Sequence, residues 1–456
     1  MKNENANANA HYKRMTEAPI PGLIISLGIP TTISMLVTNI YNLADTYFVS
    51  QIGLSTSGAV GIVFGFMAVL QAIGFLFGQG AGSNIAGCLG AKDHKSASIY
   101  ATTSFVLAFV LSVIIGIFCY IFIEPFLRLL GSTETILPYA KTYVIYIIIS
   151  GPFTVCGFVM NNILRFEGRA NMAMAGLVSG ALLNIIGDPI LIFKFNLGIA
   201  GAGLSTCLSQ IISFFLLLYF FVSGKTMCKL SPKNFKPKFD TVWRILTIGF
   251  PSLARQGLQS VSTMLLNNCA AFYGDASVAA MSIVSRLTFF VFAVGLGIGQ
   301  GFQPVCGFNY GAKIYSRVKE AFKFTLFLGE AFLGAVAVVG FIIAPYAIGW
   351  FRKDPEVLEI GVLAFRLQCI GLFFQPLAVM CNMTFQSCQK PVLATVSSLM
   401  KSGLFFIPVL LIGTKLFGIT GIQASQPIAD LLTFIAVLPM IIHFFATMPK
   451  DSKPKN

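Results

Sequence analysis

The chain contains one stretch twice: Gly74-x3-Gly78-Gln79-Gly80 with Gly90-Ala91-Lys92 behind it recurs 221 residues later as Gly295-x3-Gly299-Gln300-Gly301 with Gly311-Ala312-Lys313. The same offset places Gly28 on Gly249 and Pro30 on Pro251. An offset of 220 places Gly198–Gly201 on Gly418–Gly421. Two halves of the chain therefore share one plan from near one end to near the other.

The composition is that of a membrane protein. Hydrophobic residues make up 56% of the chain and charged residues 11%, whereas soluble domains have about 25% charged residues. Long apolar runs predict helices, because a helix satisfies its own backbone in lipid. Twelve spans are predicted, at about 20–47, 57–86, 98–123, 137–162, 171–193, 199–223, 242–271, 277–308, 321–344, 358–386, 392–414 and 420–446.

Each half has six predicted spans, so both halves enter the membrane from the same side. The fold class we predict is an all-α membrane protein with twelve transmembrane helices in two parallel-repeat lobes of six helices. Internal repeats of this kind are typical of transporters that work between the two repeats. The predicted divisions are an N-terminal tail (1–18, polar and solvated), an N-lobe (19–223), a basic linker (224–240), a C-lobe (241–446) and a C-terminal tail (447–456).

The net charge of +14 reflects membrane topology. With a cytoplasmic N-terminus, 21 of the 31 basic residues fall on the cytoplasmic side and six on the outer side. This asymmetry follows the positive-inside rule and places both termini in the cytoplasm. We therefore expect a multi-pass protein of the inner (cytoplasmic) cell membrane, with membrane lipid around it and no nucleic-acid partner.

The glycine motifs predict close helix packing. Gly74, Gly78 and Gly82 are four residues apart, so they line one helix face, and no phosphate-binding pattern is completed around them. The ten cysteines form no CxxC pair and are interpreted as small buried hydrophobic residues. With no DDxxD-like motif and no His/Glu ligand set, we expect no cofactor and no enzymatic activity.

Two carboxylates inside spans are the candidate functional residues. Asp45 ends the first span and Asp188 lies late in the fifth, and both spans run outward, so the two should reach similar depth. Tyr41 and Asn184 each lie four residues before one of these acids and share its helix face. Thr206, about two turns into the sixth span, lies at compatible depth.

Two neighbouring carboxylates in a poorly solvated site repel each other, so the pair can hold a proton near neutral pH. Alternatively, oxygens of Asp45, Asn184, Asp188 and Thr206 could bind Na⁺. The structural alternative is that Asp45 is a solvated loop residue and Asp188 only caps a helix break. No other metal site is predicted.

The two halves differ in their charged residues. Leu266 takes the place of Asp45 in the second half. Other charges within or near the later spans have roles that the sequence leaves open: Arg255, Arg286, Glu330, Arg366, Lys401 and Asp430. Pro30 and Pro251, at matching positions, should kink their helices, either as hinges or as static bends.

The chain resembles the MATE (multidrug and toxic compound extrusion) transporters over residues 18–446. The residues that carry the resemblance are Asp45–Ser50, the Gly-Gln-Gly and Gly-Ala-Lys motifs of both halves, Asn184 to Pro189, and Gly198–Gly203. Within the family it is most similar to the prokaryotic branch related to DinF and MepA.

The resemblance implies alternating access between two lobes and secondary active export of organic cations in exchange for H⁺ or Na⁺. It assigns the acidic cluster to Asp45 and Asp188, with support from Asn184, Tyr41 and Thr206, and makes Pro30 the bending point. Small organic cations and the coupling ion are then the partners, and we expect a monomer.

Two departures from the family affect the coupling ion. Gln300 stands where some relatives carry a glutamate, and the seventh span has Arg255 and Gln256 in the region where the Na⁺-coupled branch has an acid. Both favour protons. The alternatives within the same superfamily are a lipid-linked precursor flippase and an exporter of anionic metabolites, which Arg255, Arg286 and Arg366 would suit.

Overall fold

The computed structural model describes residues 2–451, with side chains from Ala8 onward, and these residues form helices and no strands. The first half contains eight α-helices, with a π-helical turn at Ile190–Lys194 that continues the seventh. They are α1 (Lys2–Glu17), α2 (Ile20–Ser50), α3 (Leu54–Gly90), α4 (His94–Ile121), α5 (Ile123–Leu129), α6 (Leu137–Phe166), α7 (Ala170–Pro189) and α8 (Gly198–Val222).

The second half begins after a short 3₁₀ turn at Pro232–Asn234 and also contains eight α-helices. A second π-helical turn, Met400–Phe405, joins its sixth and seventh helices. The helices are α9 (Phe239–Ala271), α10 (Asp275–Gly311), α11 (Tyr315–Phe351), α12 (Pro355–Gly371), α13 (Gln375–Ser387), α14 (Pro391–Leu399), α15 (Phe406–Phe417) and α16 (Ile419–Ala446).

Ten helical segments in the described part of the chain are long and apolar enough to cross a membrane by themselves. An eleventh is the pair α12 and α13, which is bent by 50° between Gly371 and Gln375. The remaining predicted span corresponds to α9. It is long enough at 33 residues, but the polar run around Arg255 and Gln256 lowers its hydropathy.

The chain divides into two compact units, and two helices are shared between them. Ile33–Gly249 forms the body of unit 1, whereas Asn9–Thr32 and the chain from Phe250 onward form unit 2. The early part of α2 thus belongs with the second half of the sequence, and the first eleven residues of α9 belong with the first half. The boundaries fall beside Pro30 and Pro251. The predicted limits of the two lobes stay a prediction.

The repeated glycines allow close helix contacts, as their spacing predicts. In unit 1, a Cβ at Gly74, Gly78 or Gly82 would overlap Phe158, Asn162 or Phe166 of α6. These three α6 residues are themselves four apart, so two complementary helix faces meet. The packing prediction for this motif is therefore confirmed.

Backbone approaches closely at two further glycines of unit 1. A Cβ at Gly80 would overlap the carbonyl group of Ile245, and one at Gly249 would overlap the carbonyl of Leu76. The first part of α9 and α3 therefore touch main chain to main chain. In unit 2, a Cβ at Gly301 of α10 would overlap the main chain of Gly28 of α2.

The N-terminal segment, predicted as a solvated tail, is helical and packs on unit 2. The Tyr12 ring lies 5.6 Å from that of Phe308, and Asn309 Nδ2 donates to the Met15 carbonyl at 3.0 Å. Met15 is fully buried. The polar composition concealed this contact, because only a few apolar side chains of α1 are needed to make it.

The linker after α8 is fixed to unit 1. Glu167, between α6 and α7, accepts the backbone N–H groups of Met227 and Cys228 at 2.9 and 2.7 Å. Ser98 of α4 accepts from the Lys229 N–H at 3.1 Å. Burial raises the pKa of the Glu167 carboxyl above its ordinary value. The stretch predicted as a basic linker is thus held by buried side chains.

Candidate functional site

The predicted site residues come together inside unit 1 from three helices. Tyr41 and Asp45 lie on α2, Asn184 and Asp188 on α7, and Thr206 on α8. Each helix supplies its residues from one face, because a spacing of four residues returns to the same side of a helix. Asp188 stands directly before Pro189 and the π-helical turn that follows it.

Asn184 is the centre of the hydrogen-bond network. Its Nδ2 donates to Asp188 Oδ1 at 3.2 Å and lies 3.2 Å from Thr206 Oγ1 and 3.4 Å from Ser205 Oγ. Ser205 Oγ in turn donates to the Asn184 carbonyl at 3.3 Å. The amide therefore ties α7 to α8 at the level of the carboxylates.

The two carboxylates lie side by side and are shielded from solvent. Asp45 neighbours both Asp188 and the hydroxyl of Tyr143 on α6, and the Asp45 residue is 7% exposed. Asp188 and Asn184 are 0% and 1% exposed. The alternative that Asp45 is a solvated loop residue is therefore wrong. Asp188 does precede a helix break, but it also belongs to this network.

Several oxygens of the site have no hydrogen-bond donor among the described residues. They are Asp45 Oδ1, Asp188 Oδ2 and Asn184 Oδ1, all buried. An unpaired buried carboxylate oxygen is costly, and two adjacent carboxylates add repulsion. Protons on the acids, or a cation between them, would remove both costs. These oxygens are the hard ligands that Na⁺ also accepts.

A cavity of about 70 Å³ lies beside these residues in unit 1. Tyr41 and Thr206 line it from the carboxylate side, and Gln71 and Gln210 add amide groups. Its apolar lining includes Phe64, Met67, Phe158 and Leu177. A mixed aromatic and Met-containing wall suits lipophilic organic molecules.

The sequence did not point to Tyr143 and Ser205. Tyr143 lies in an Ile-rich run on α6, where an aromatic residue reads as apolar filling, yet it is fully buried with its hydroxyl at the acids. Only its polar tip could have signalled the role, since a buried Tyr hydroxyl usually has a partner. Ser205 adjoins the predicted Thr206, and the sequence gives no separate signal for it.

The second half has no equivalent of the acidic pair. Leu266, the counterpart of Asp45, belongs to an apolar core with Met281, Val284 and Phe406. The acids of unit 1 are therefore a departure from the repeat symmetry. Within the described residues, no group of three or more His, Cys, Asp and Glu could hold a metal ion.

Comparison with known proteins accounts for the repeat. The family model described as MatE matches residues 30–190 and again residues 251–412, once in each half. This chain belongs to the MatE family. The site in unit 1 therefore lies within the fold of a family of multi-pass membrane transporters.

The similarity to individual MATE proteins extends over nearly the whole chain. The multidrug export protein MepA of Staphylococcus aureus strain MSSA476 is 27% identical over 427 residues, 93% of this chain and 94% of that protein. MepA of Staphylococcus saprophyticus is 26% identical over 419 residues, 92% of each chain. Both relatives fit the branch that the sequence motifs indicated.

Solved MATE structures match the fold over nearly the whole chain. A MATE crystal structure in a straight conformation has a TM-score of 0.90 at 26% identity and covers 95% of this chain and 98% of its own. A MATE structure in a bent conformation also has a TM-score of 0.90, at 25% identity and 96% and 98% coverage. The predicted fold class, twelve transmembrane helices in two lobes, is confirmed by these neighbours.

Proposed function

We propose that this protein is a secondary active multidrug exporter that exchanges organic cations for protons by alternating access between its lobes. The observation that carries the proposal is the pair of buried, adjacent carboxylates, Asp45 and Asp188, each with an unpaired oxygen beside the cavity. The relatives named MepA are multidrug export proteins. Their full-length similarity supports the same class of cargo here.

Exchange follows from competition for negative charge. With protons on both acids the site is neutral, and a neutral cavity wall offers little attraction to a cation. When the protons leave, the two carboxylates repel each other and attract an organic cation in the adjoining cavity. Tyr41 and Thr206 lie both at the acids and on the cavity wall, so they connect the two positions. Bound proton and bound cargo therefore exclude each other.

Sodium ions are the second candidate for the coupling ion. Asn184 Oδ1 is a free acceptor close to both acids, and Thr206 Oγ1 adds a further oxygen. We favour protons over Na⁺ as the coupling ion because a carboxylate pair can bind a proton without any further ligand. The orientation we propose places both termini in the cytoplasm, which the distribution of basic residues supports.

The deciding experiment is ethidium efflux from proteoliposomes under an imposed pH gradient or an imposed Na⁺ gradient. We expect pH-driven efflux by the wild type and a loss of about 100-fold or more in Asp45→Asn and in Asp188→Asn. Asn keeps the shape of the side chain but removes the ionisable group. Full activity of both variants would overturn the mechanism.

The matched control is Asp240→Asn, an exposed acid that pairs with Arg244 at 3.2 Å away from the site. It should retain wild-type efflux. Efflux driven only by Na⁺ would keep the site and change the ion. Absence of efflux under either gradient would favour an anionic metabolite or a lipid-linked precursor as cargo.

A further inference from the structure

Unit 2 contains a buried ion pair within its membrane-spanning helices. Lys401 Nζ lies 3.7 Å from Asp430 Oδ1, and Asp430 is 1% exposed. Lys401 belongs to the π-helical turn Met400–Phe405, and Asp430 lies on α16. The lysine ammonium also lies 4.2 Å from the centre of the Phe292 ring. Charges at this depth are rare and need a reason.

Asp430 accepts hydrogen bonds from two glutamines in addition to its ion pair with Lys401. Gln375 Nε2 donates to its Oδ2 at 2.8 Å and Gln426 Nε2 to its Oδ1 at 3.1 Å. Both oxygens are therefore satisfied even without the lysine. Lys401 keeps 18% of its side chain exposed and has donors left over, since an ammonium group carries three. The lysine can turn to another acceptor without leaving Asp430 bare.

A second cation lies close to this pair. Arg255 on α9 is half-buried and has no acidic partner among the described residues. The same face of α9 carries Gln259, which accepts from the hydroxyl of Ser402 at 3.3 Å, next to Lys401. The Leu258 side chain touches Gly403. The helix segment with Arg255 therefore packs along the π-helical turn.

A π-helical turn is present in this cluster, as one is beside the acidic site of unit 1. In each half a π-helical turn interrupts the same span: Ile190–Lys194 after α7, and Met400–Phe405 after α14. Asp188 stands just before the first turn, and Lys401 is the second residue of the other. Helical segments with π geometry recur at functional sites. The repeat offset of 220 to 221 places Asp188 on Pro408 or Val409, so the two turns lie at different positions in this span, and ionisable residues of opposite sign lie near them.

The cluster has a net positive charge, which an anion would neutralise. Among the described residues of this cluster, two cations accompany one carboxylate, so one positive charge has no counter-charge, which is costly in a medium of low dielectric. We propose that Arg255 and Lys401 form a binding site in unit 2 for the carboxylate group of an aromatic organic anion. The Phe292 ring offers an apolar surface for the body of such a molecule.

Binding would give the excess positive charge of the cluster a counter-charge. The ligand carboxylate accepts hydrogen bonds from Arg255 and Lys401, and Asp430 retains its two glutamine donors. The site uses none of the residues of the acidic pair. It extends the chemical range of ligands beyond organic cations and stands whether or not Asp45 and Asp188 couple transport to protons.

The test measures equilibrium binding to purified full-length protein, without any gradient. The probe is 2-naphthoate, which is fluorescent, and 2-naphthamide is its neutral analogue. We expect the wild type to bind the carboxylate about tenfold or more tightly than the amide. Equal binding of the two compounds, or no binding of the carboxylate, would overturn the proposal.

Variants locate the binding within the cluster. Arg255→Gln should weaken naphthoate binding by about tenfold or more, whereas Arg255→Lys should retain most of it because the charge stays. The pair Lys401→Met with Asp430→Asn removes both charges together and should weaken binding as well. Unchanged affinity in Arg255→Gln would contradict the assignment.

Two controls separate this site from other causes. Arg366→Gln removes an arginine of unit 2 that lies 5.2 Å from the Phe341 ring, and it should bind naphthoate like the wild type. Asp45→Asn with Asp188→Asn should also leave the affinity unchanged, so failure of the antiport mechanism would not affect this result. Size-exclusion chromatography checks that each variant is folded.

Discussion

Single atoms decide what the acidic site can hold. Asn184 donates its amide hydrogens to Asp188 and to the hydroxyls of α8. Its Oδ1 accepts no hydrogen bond from the described residues. The site therefore presents oxygens and very few N–H groups. A proton or a small cation fits this arrangement, whereas an anion would meet only repulsion.

Thr206→Val distinguishes a proton from a sodium ion at this scale. The substitution removes one candidate Na⁺ ligand but leaves both carboxylates in place, and Asn184 keeps its bonds to Asp188 and Ser205. We expect pH-driven efflux within about threefold of the wild type. The measurement is initial rates of ethidium efflux in proteoliposomes.

Ser209→Ala serves as the control for that variant, because Ser209 lies on the same helix and its hydroxyl donates to the Ser205 carbonyl of α8. A loss of activity in Thr206→Val, combined with Na⁺-driven efflux in the wild type, would replace the proton by Na⁺.

The residues of the site could be predicted in part. Asp45, Asp188 and Asn184 stand out because polar side chains in apolar spans are rare, and their spacing of four gives the shared face. Tyr143 could not be found this way, since nothing local separates it from neighbouring apolar residues. The pairing of Lys401 with Asp430 needs the packing of α16 against the π-helical turn, which depends on tertiary structure.

At the scale of helices, the glycine contacts set the tightest constraints. Gly249 of α9 meets the carbonyl of Leu76 and Gly80 of α3 meets that of Ile245, so neither position has space for a side chain. The repeat spacing predicts glycine faces correctly. It does not reveal which helix packs against each glycine face, because helix pairing depends on the tertiary structure.

Gly249→Ala tests the contact between α3 and α9. Alanine favours a helix, but here its methyl group overlaps main-chain atoms that cannot move separately, so we expect a loss of about 2 kcal/mol or more of stability. Gly257→Ala on the same helix has open space and should be neutral or stabilising. Thermal unfolding in detergent compares them, and equal melting temperatures would contradict the contact.

At the scale of the whole molecule, the connection between the halves is an ordered part of unit 1. Glu167→Ala removes the acceptor of two backbone N–H groups, each costly to leave unpaired when buried. We expect trypsin to cleave at exposed lysines such as Lys233 and Lys236 about fivefold or more faster. Gel electrophoresis of timed digests measures the rate.

The pH dependence of that cleavage follows from the same residue. Because burial raises the pKa of Glu167, the docked linker is favoured below that raised value and weakened as pH rises through it. Glu167→Gln should abolish the dependence once rates are normalised to a peptide substrate. Asp240→Ala, an exposed acid, is the control, and identical cleavage of Glu167→Ala and wild type would refute the docking.

Because α2 and α9 are each shared between the two units, the chain cannot be divided at the linker into two complete units. A cut in the linker, where the sequence repeat divides, would yield two polypeptides that each lack a piece of their own unit. The first would carry Asn9–Thr32 without its packing surface and would miss the segment that ends at Gly249. Neither fragment would be expected to assemble alone. Each half of the sequence repeat therefore needs a segment of the other half to complete its compact unit.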